Sequence, residues 1–165
     1  MTVSSYNPLL PHAYPADVPI FQKKMPTRVL VVDDDRDTTD LLRIVLEPKS
    51  FEVITANSGE AGIDLVRRCS PDVVIVDLLM PEMDGLKVLR TIRQFSSIPV
   101  LILSAVNRPN MAEQALDDGA DDFMVKPMSS GMLVASIRML ARRSLAERCS
   151  RIIYQDDDPS QSDAL

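Results

Sequence analysis

Residues 71–85 of the chain read PDVVIVDLLMPEMDG. The four residues Val73–Val76 are all apolar and β-branched, and the run ends in Asp77. A strand that is apolar at every position, rather than at alternate ones, is covered on both faces, as in a parallel sheet. Downstream, Asp84-Gly85 reads as the start of a helix.

The same grammar recurs on either side. Runs rich in β-branched residues occupy Arg28–Asp33, Phe51–Thr55, Ile98–Leu103 and Asp122–Val125, and two of them, VLVV and VLIL, are again apolar throughout. Helical patterns fill the gaps. Leu41, Leu42, Val45 and Leu46 mark the inner face of a first helix that Pro48 stops. Ser58 is a candidate N-cap for a second, with Ala61, Leu65, Val66 and Cys69 turned inward. Leu86, Leu89 and Ile92 recur along a third. A fourth runs from Pro109 to Asp118 and ends at Gly119, and a fifth follows Ser129, burying Leu133, Val134, Ile137, Leu140 and Ala141. Five strands alternating with five helices imply an α/β fold, a doubly wound parallel sheet with right-handed crossovers. Chemistry in such a fold gathers at the carboxyl ends of the strands.

A length of 165 residues suits one domain with extensions. The expected division is a Pro-rich arm at 1–26, a domain at 27–146 and an acidic tail at 147–165. Pro8, Pro11, Pro15, Pro19 and Pro26 make the arm extended, while Asp156, Asp157 and Asp158 make the tail a solvated one. The net charge of -6 argues against direct binding of a nucleic-acid backbone. No apolar run approaches the ~20 residues that cross a bilayer, and Met1 to Pro15 carries no export signal, so a cytoplasmic location is expected. Cys69 and Cys149 lack CxxC spacing and read as free thiols.

The strand ends carry the chemistry. Asp33-Asp34-Asp35 follows the first, Asp77 the third, Ser104 the fourth and Lys126-Pro127 the fifth. Singly these are ordinary turn residues, and Asp35 keeps that reading because it already turns toward the first helix. Jointly they bring carboxylates, a hydroxyl and an ammonium to one rim. Clustered carboxylates repel one another, and a hard divalent cation relieves that repulsion. A carboxylate can also act as a nucleophile and form an acyl phosphate, and phosphoryl transfer needs mainly positioning and charge neutralisation.

With those residues the chain resembles the receiver domain of two-component response regulators. VLVVDDD (29–35), PDVVIVDLLMPEMDG (71–85), VLILSA (100–105) and GADDFMVKP (119–127) carry the likeness, which covers about Thr27 to Arg143. The resemblance implies a flavodoxin-like sheet in the strand order 2-1-3-4-5. It implies Asp77 as phospho-acceptor, with Mg²⁺ or Mn²⁺ held by Asp34 directly, by Asp33 largely through water, by Asp77, and by the backbone carbonyl of Leu79. Ser104 matches the switch hydroxyl, Phe123 the aromatic that moves with it, and Lys126 the lysine that pairs with phosphoryl oxygen. The bond from Lys126 to Pro127 is typically cis in this family. Partners implied are a sensor histidine kinase or phosphotransfer protein and a downstream protein target.

GADDFMVKP is nearest the subfamily with a winged-helix DNA-binding domain, yet about twenty residues follow the fifth helix, too few for one. A stand-alone regulator or a separated fragment is expected. That subfamily dimerises through the fourth helix, fifth strand and fifth helix. Here Ser136 stands where an arginine is common and Met132 where an acidic residue is usual, so Asp121 and Asp122 are expected to lack their usual partner. Met128, Met132 and Met139 would offer an adaptable apolar surface in place of the charged one, or else fill the core.

Two other functions compete. An aspartate-nucleophile phosphatase acting on external substrates usually has a second Asp two residues after the nucleophile, where Leu79 stands. An adaptor that is never phosphorylated is disfavoured by the intact set of acids, hydroxyl and lysine. The reading is thus a switch with self-catalysed phosphotransfer rather than an enzyme turning over external substrates. Leu79 and Val106 flank the acceptor with apolar groups that cannot align an attacking water, which implies a long-lived phosphorylated state.

Overall fold

The apolar runs form five parallel strands: β1 (Thr27–Val32), β2 (Phe51–Ala56), β3 (Val73–Asp77), β4 (Val100–Ser104) and β5 (Asp122–Val125). They pair in the order β2-β1-β3-β4-β5, as the resemblance implies. The computed structural model describes residues 26–155. The arm up to residue 25 and the segment 156–165 with its three aspartates lie outside the described residues, and of residues 146–155 only the backbone is described, so the Cys149 thiol lies outside too. Cys69 is a free thiol.

Five helices cover the sheet: α1 (Arg36–Leu46), α2 (Gly59–Cys69), α3 (Gly85–Arg93), α4 (Pro109–Asp117) and α5 (Ser130–Gln155). The continuous apolar character of the central strands has a direct cause. Leu30, Val32, Val74, Val76, Val100 and Ile102 face one core with α2 and α3. Val29, Val31, Val73, Ile75, Leu101 and Leu103 face a second core with α1 and α5. Successive side chains of a strand point to opposite faces, so a sheet with two cores needs apolar residues at every position.

Local chemistry sets the helix ends. The carboxylate of Asp35 accepts from the Asp37 N–H at 3.0 Å, the Ser58 hydroxyl from Ala61 N–H at 3.2 Å, and Asp84 from Lys87 N–H at 2.7 Å. Each satisfies a donor left over in a first helical turn. Gly119 follows α4 with φ +98°, a conformation that costs a residue without a Cβ little. After α1 the chain makes one 3-10 turn through Pro48, over Glu47–Lys49. β4 starts at Val100 rather than Ile98, because Pro99 has no N–H to give the ladder.

One expectation is corrected, the inner faces of α1 and α2. Leu41 is 59% exposed and Ala61 is exposed, while Leu42, Leu46, Gly62, Ile63 and Val66 form the buried stripes. Each helix turns about 100° per residue, so Leu41 lies a full step away from the stripe that Leu42 and Leu46 define. Asp121 and Asp122 have no arginine at position 136 to pair with and take other partners. Asp121 Oδ2 accepts from the Arg93 guanidinium at 2.8 Å and from Val100 N–H at 2.9 Å, and the Ser136 hydroxyl donates to Asp122. The methionine surface is mixed, since Met132 and Met139 are exposed but Met128 packs on the second core. Among the described residues no helix is long and apolar enough to cross a membrane.

Arg93 ties α3 to the amino end of β4 and the start of β5. It donates to the carbonyls of Gly119 (2.8 Å) and Ile98 (2.6 Å) as well as to Asp121. Burial lowers its pKa and the adjacent Asp121 carboxylate opposes that shift. Arg93→Met takes the guanidinium donor from the carbonyls of Gly119, Ile98 and Ser96 and from the Asp121 carboxylate, all partly screened by solvent. It is expected to cost about 1–3 kcal/mol in urea denaturation.

Candidate functional site

The carboxyl ends of the strands meet at one edge. Asp33 follows β1, Asp77 closes β3, Ser104 closes β4 and Lys126 follows β5. Asp33 and Asp77 are buried, at 4% and 7% exposure, whereas Asp34 is exposed. Two aspartates are held beneath the surface because the ladder carries them there. Leu78 N–H donates to Leu103 carbonyl at 2.7 Å and Asp33 N–H to Ala56 carbonyl at 3.1 Å.

The Lys126 ammonium sits between the buried pair. Its Nζ donates to Asp77 Oδ1 at 2.6 Å and to Asp33 Oδ2 at 2.9 Å. The remaining oxygens are also bound, Asp77 Oδ2 by Leu79 N–H at 2.8 Å and Asp33 Oδ1 by Asp35 N–H at 3.0 Å. Burial raises the Asp77 carboxyl above the usual aspartate range and Asp33 adds to the rise, while the Lys126 ammonium and the Leu79 N–H pull it down. Burial also works against the Lys126 charge, but its hydrogen bonds to Asp77 and Asp33 outweigh that and raise its pKa. One cation thus serves two buried carboxylates, leaving the buried pair one positive charge short of neutrality.

Asp33, Asp34 and Asp77 each present an oxygen within 4.8 Å of the others. An all-oxygen set of this size, open to water on the Asp34 side, suits a hard divalent cation that keeps several waters. Asp35 stands apart from the set. The Thr38 hydroxyl and the Asp37 N–H hold its carboxyl below the usual range in its capping role.

The expected residues fall into two groups. Asp33, Asp34, Asp77 and Lys126 come together. Ser104 is buried at the same edge, but its hydroxyl donates to Val106 carbonyl at 2.9 Å and accepts from Val106 N–H at 3.0 Å. Phe123 is half-buried and packs against the core under α3. Leu79 contributes its N–H to Asp77, and its side chain is 49% exposed. The Lys126–Pro127 bond is cis, as the resemblance implies.

Gly85 belongs with these residues, and reading Asp84-Gly85 as a helix start overlooked why. A Cβ at Gly85 would lie 2.3 Å from the Asp77 carbonyl oxygen and 2.9 Å from the Leu78 Cα. Its N–H donates to the Leu78 carbonyl at 2.9 Å. α3 therefore begins in backbone contact with the end of β3, and only glycine permits that approach. The signal lay in the sequence as a glycine at a first helical position, where other residues form helix better.

Residues 29–138 match the family described as response regulator receiver domain. Response regulator MprA of Mycolicibacterium vanbaalenii is 40% identical over 121 residues, which are 73% of this chain and 52% of the relative. The chain thus spans about half the length of the curated relatives it matches. The receiver domain of the Francisella response regulator 1452 is 31% identical, with a TM-score of 0.68 over 72% of this chain and 98% of that one. The CheX-CheY-BeF3-Mg complex from Borrelia burgdorferi gives 30% identity and a TM-score of 0.64, over 67% of this chain and 86% of that one.

Gly85→Ala is expected to lower stability by about 1–3 kcal/mol, because backbone atoms rather than a flexible side chain must yield. Gly131→Ala, whose Cβ meets only Ser129 Oγ at 4.0 Å, should be neutral or stabilising in the same denaturation experiment.

Proposed function

Since the chain belongs to the receiver-domain family of two-component response regulators, we propose that Asp77 is its phospho-acceptor and that a divalent cation assists. The observation that carries this reading is the buried Asp77 carboxylate, paired with Lys126 at 2.6 Å and grouped with two further acids. An Asp77 carboxylate oxygen forms the new bond to phosphorus, and the donor's phosphohistidine nitrogen leaves. Asp33, Asp34, Asp77 and the Leu79 carbonyl would hold Mg²⁺ or Mn²⁺, which supplies charge neutralisation for the phosphoryl oxygens. Lys126 is already within hydrogen-bond reach of Asp77 and would follow the charge onto a phosphoryl oxygen. The Ser104 hydroxyl gives up its two bonds to Val106 to donate to that oxygen, and Phe123 moves with it.

The donor in this reading is a sensor histidine kinase or phosphotransfer protein in the cytoplasm. The Borrelia CheY complex, which holds CheX, BeF3 and Mg, supports a protein partner and a divalent cation for a domain of this fold. The receiver domain itself is read by protein contact, since its acidic charge does not suit a nucleic-acid backbone. Asp121 and Asp122 are occupied by Arg93 and Ser136, so a charged homodimer through α4, β5 and α5 would have to displace those bonds. Exposed Leu116, Met132 and Met139 on α4 and α5 favour an apolar contact instead.

Incubation with a small acyl phosphate and Mg²⁺ should add one phosphoryl group to the wild type and none to Asp77→Asn, read by mass spectrometry. Equal gain in the two proteins would remove Asp77 from the role. Asp34→Asn should retain the fold and slow the transfer. The phosphorylated wild type should decay about 10–100-fold more slowly than a Leu79→Asn/Val106→Glu variant, in which polar groups can align water.

A further inference from the structure

At the amino ends of β1 and β2, opposite the acidic cluster, lies a groove of about 600 Å³. Its apolar surface comes from Phe51, Ala141 and Leu145, and Leu145 is 52% exposed. Lys49, Arg138 and Arg142 form a basic rim, with the Arg138 guanidinium 5.9 Å from the Phe51 ring. Pro26, where the chain approaches β1, is part of the wall.

Three occupants compete for this face: the arm before Pro26, the aspartates after α5, and a second copy. Charge favours Asp156, Asp157 and Asp158, but distance opposes them. Arg142 and Gln155 lie on one helix, 155 − 142 = 13 residues apart, or about 20 Å at the helical rise. Three extended residues return only about 10 Å. The arm needs no such return, because it leaves the domain from within the groove. Met25, Phe21 and Ile20 stand one, five and six residues before Pro26, all within about 20 Å even fully extended. They are apolar side chains within reach of that apolar surface. Lys23 and Lys24 have stems long enough to keep their ammonium groups in water. The short tether holds the segment at a high effective concentration, in the millimolar range or about that.

We propose that the segment from Asp17 to Met25 folds back into this groove, setting Ile20, Phe21 and Met25 against Phe51, Ala141 and Leu145. The arm then fastens α5 to the amino end of the sheet, on the side away from Asp77. The inference stands apart from the role of Asp77 and would hold without phosphorylation.

The test uses the full chain, labelled with ¹⁵N. Ile20→Asp/Phe21→Asp should shift the amide signals of residues 49–51 and 138–145 and leave the remaining sheet signals in place. Tryptic cleavage after Lys23 or Lys24 should rise about tenfold, the change that a loss of about 1.4 kcal/mol produces. Leu145→Asp, which alters the groove and not the arm, should expose the same two lysines. Unchanged groove signals and unchanged cleavage overturn the proposal. So do groove shifts that grow with protein concentration, which assign the face to a second copy. Groove shifts produced only by Asp156→Asn/Asp157→Asn/Asp158→Asn assign it to the acidic segment and equally overturn it.

Discussion

The fold places Asp33 and Asp77 beneath the surface, and a single ammonium group, that of Lys126, holds the two together. Carboxylates taken out of water are costly unless paired and hydrogen bonded. Here every carboxylate oxygen of the pair has a donor, from Lys126, Leu79 or Asp35. The arrangement is satisfied yet one positive charge short, with Asp34 at its open side. That residual imbalance makes the edge receptive to a cation and sensitive to any group that adds negative charge.

Around this centre the backbone is unusually constrained. α3 starts against the end of β3 because Gly85 lets it, and the same helix ends at Arg93, which binds the amino end of β4 and the start of β5. A displacement at Asp77 is thus mechanically linked to two neighbouring strands through one short helix. Ser104 offers the complementary freedom, since its hydroxyl is bound only to the Val106 backbone in the loop after β4. A hydroxyl held by two neutral hydrogen bonds can be recruited by a charged acceptor, because charge-assisted bonds are the stronger.

Much of this was legible in the chain itself. Runs such as VVIV and VLIL announced a sheet covered on both faces, and the alternation of elements announced its parallel topology. The acids, the hydroxyl and the lysine at the strand ends were each visible. The inner faces of α1 and α2 were read less well, because several adjacent residues were apolar and only packing chose among them. Leu41 and Leu42 differ by a single step of the helix, yet one is exposed and the other buried.

Local sequence therefore determined the strands, the helix caps and the kinds of side chain brought to the active edge, since these follow from propensity and periodicity over a few residues. Tertiary structure decided the partnerships. It put Lys126 between two carboxylates 93 and 49 residues away. It gave Asp121 to Arg93 and Asp122 to Ser136, where the pattern of residues showed only that the usual arginine is missing at position 136. It also turned Gly85 from a helix-starting residue into the point where two backbones touch. Such pairings depend on distances between elements far apart in the chain, and periodicity within any one element carries no information about them.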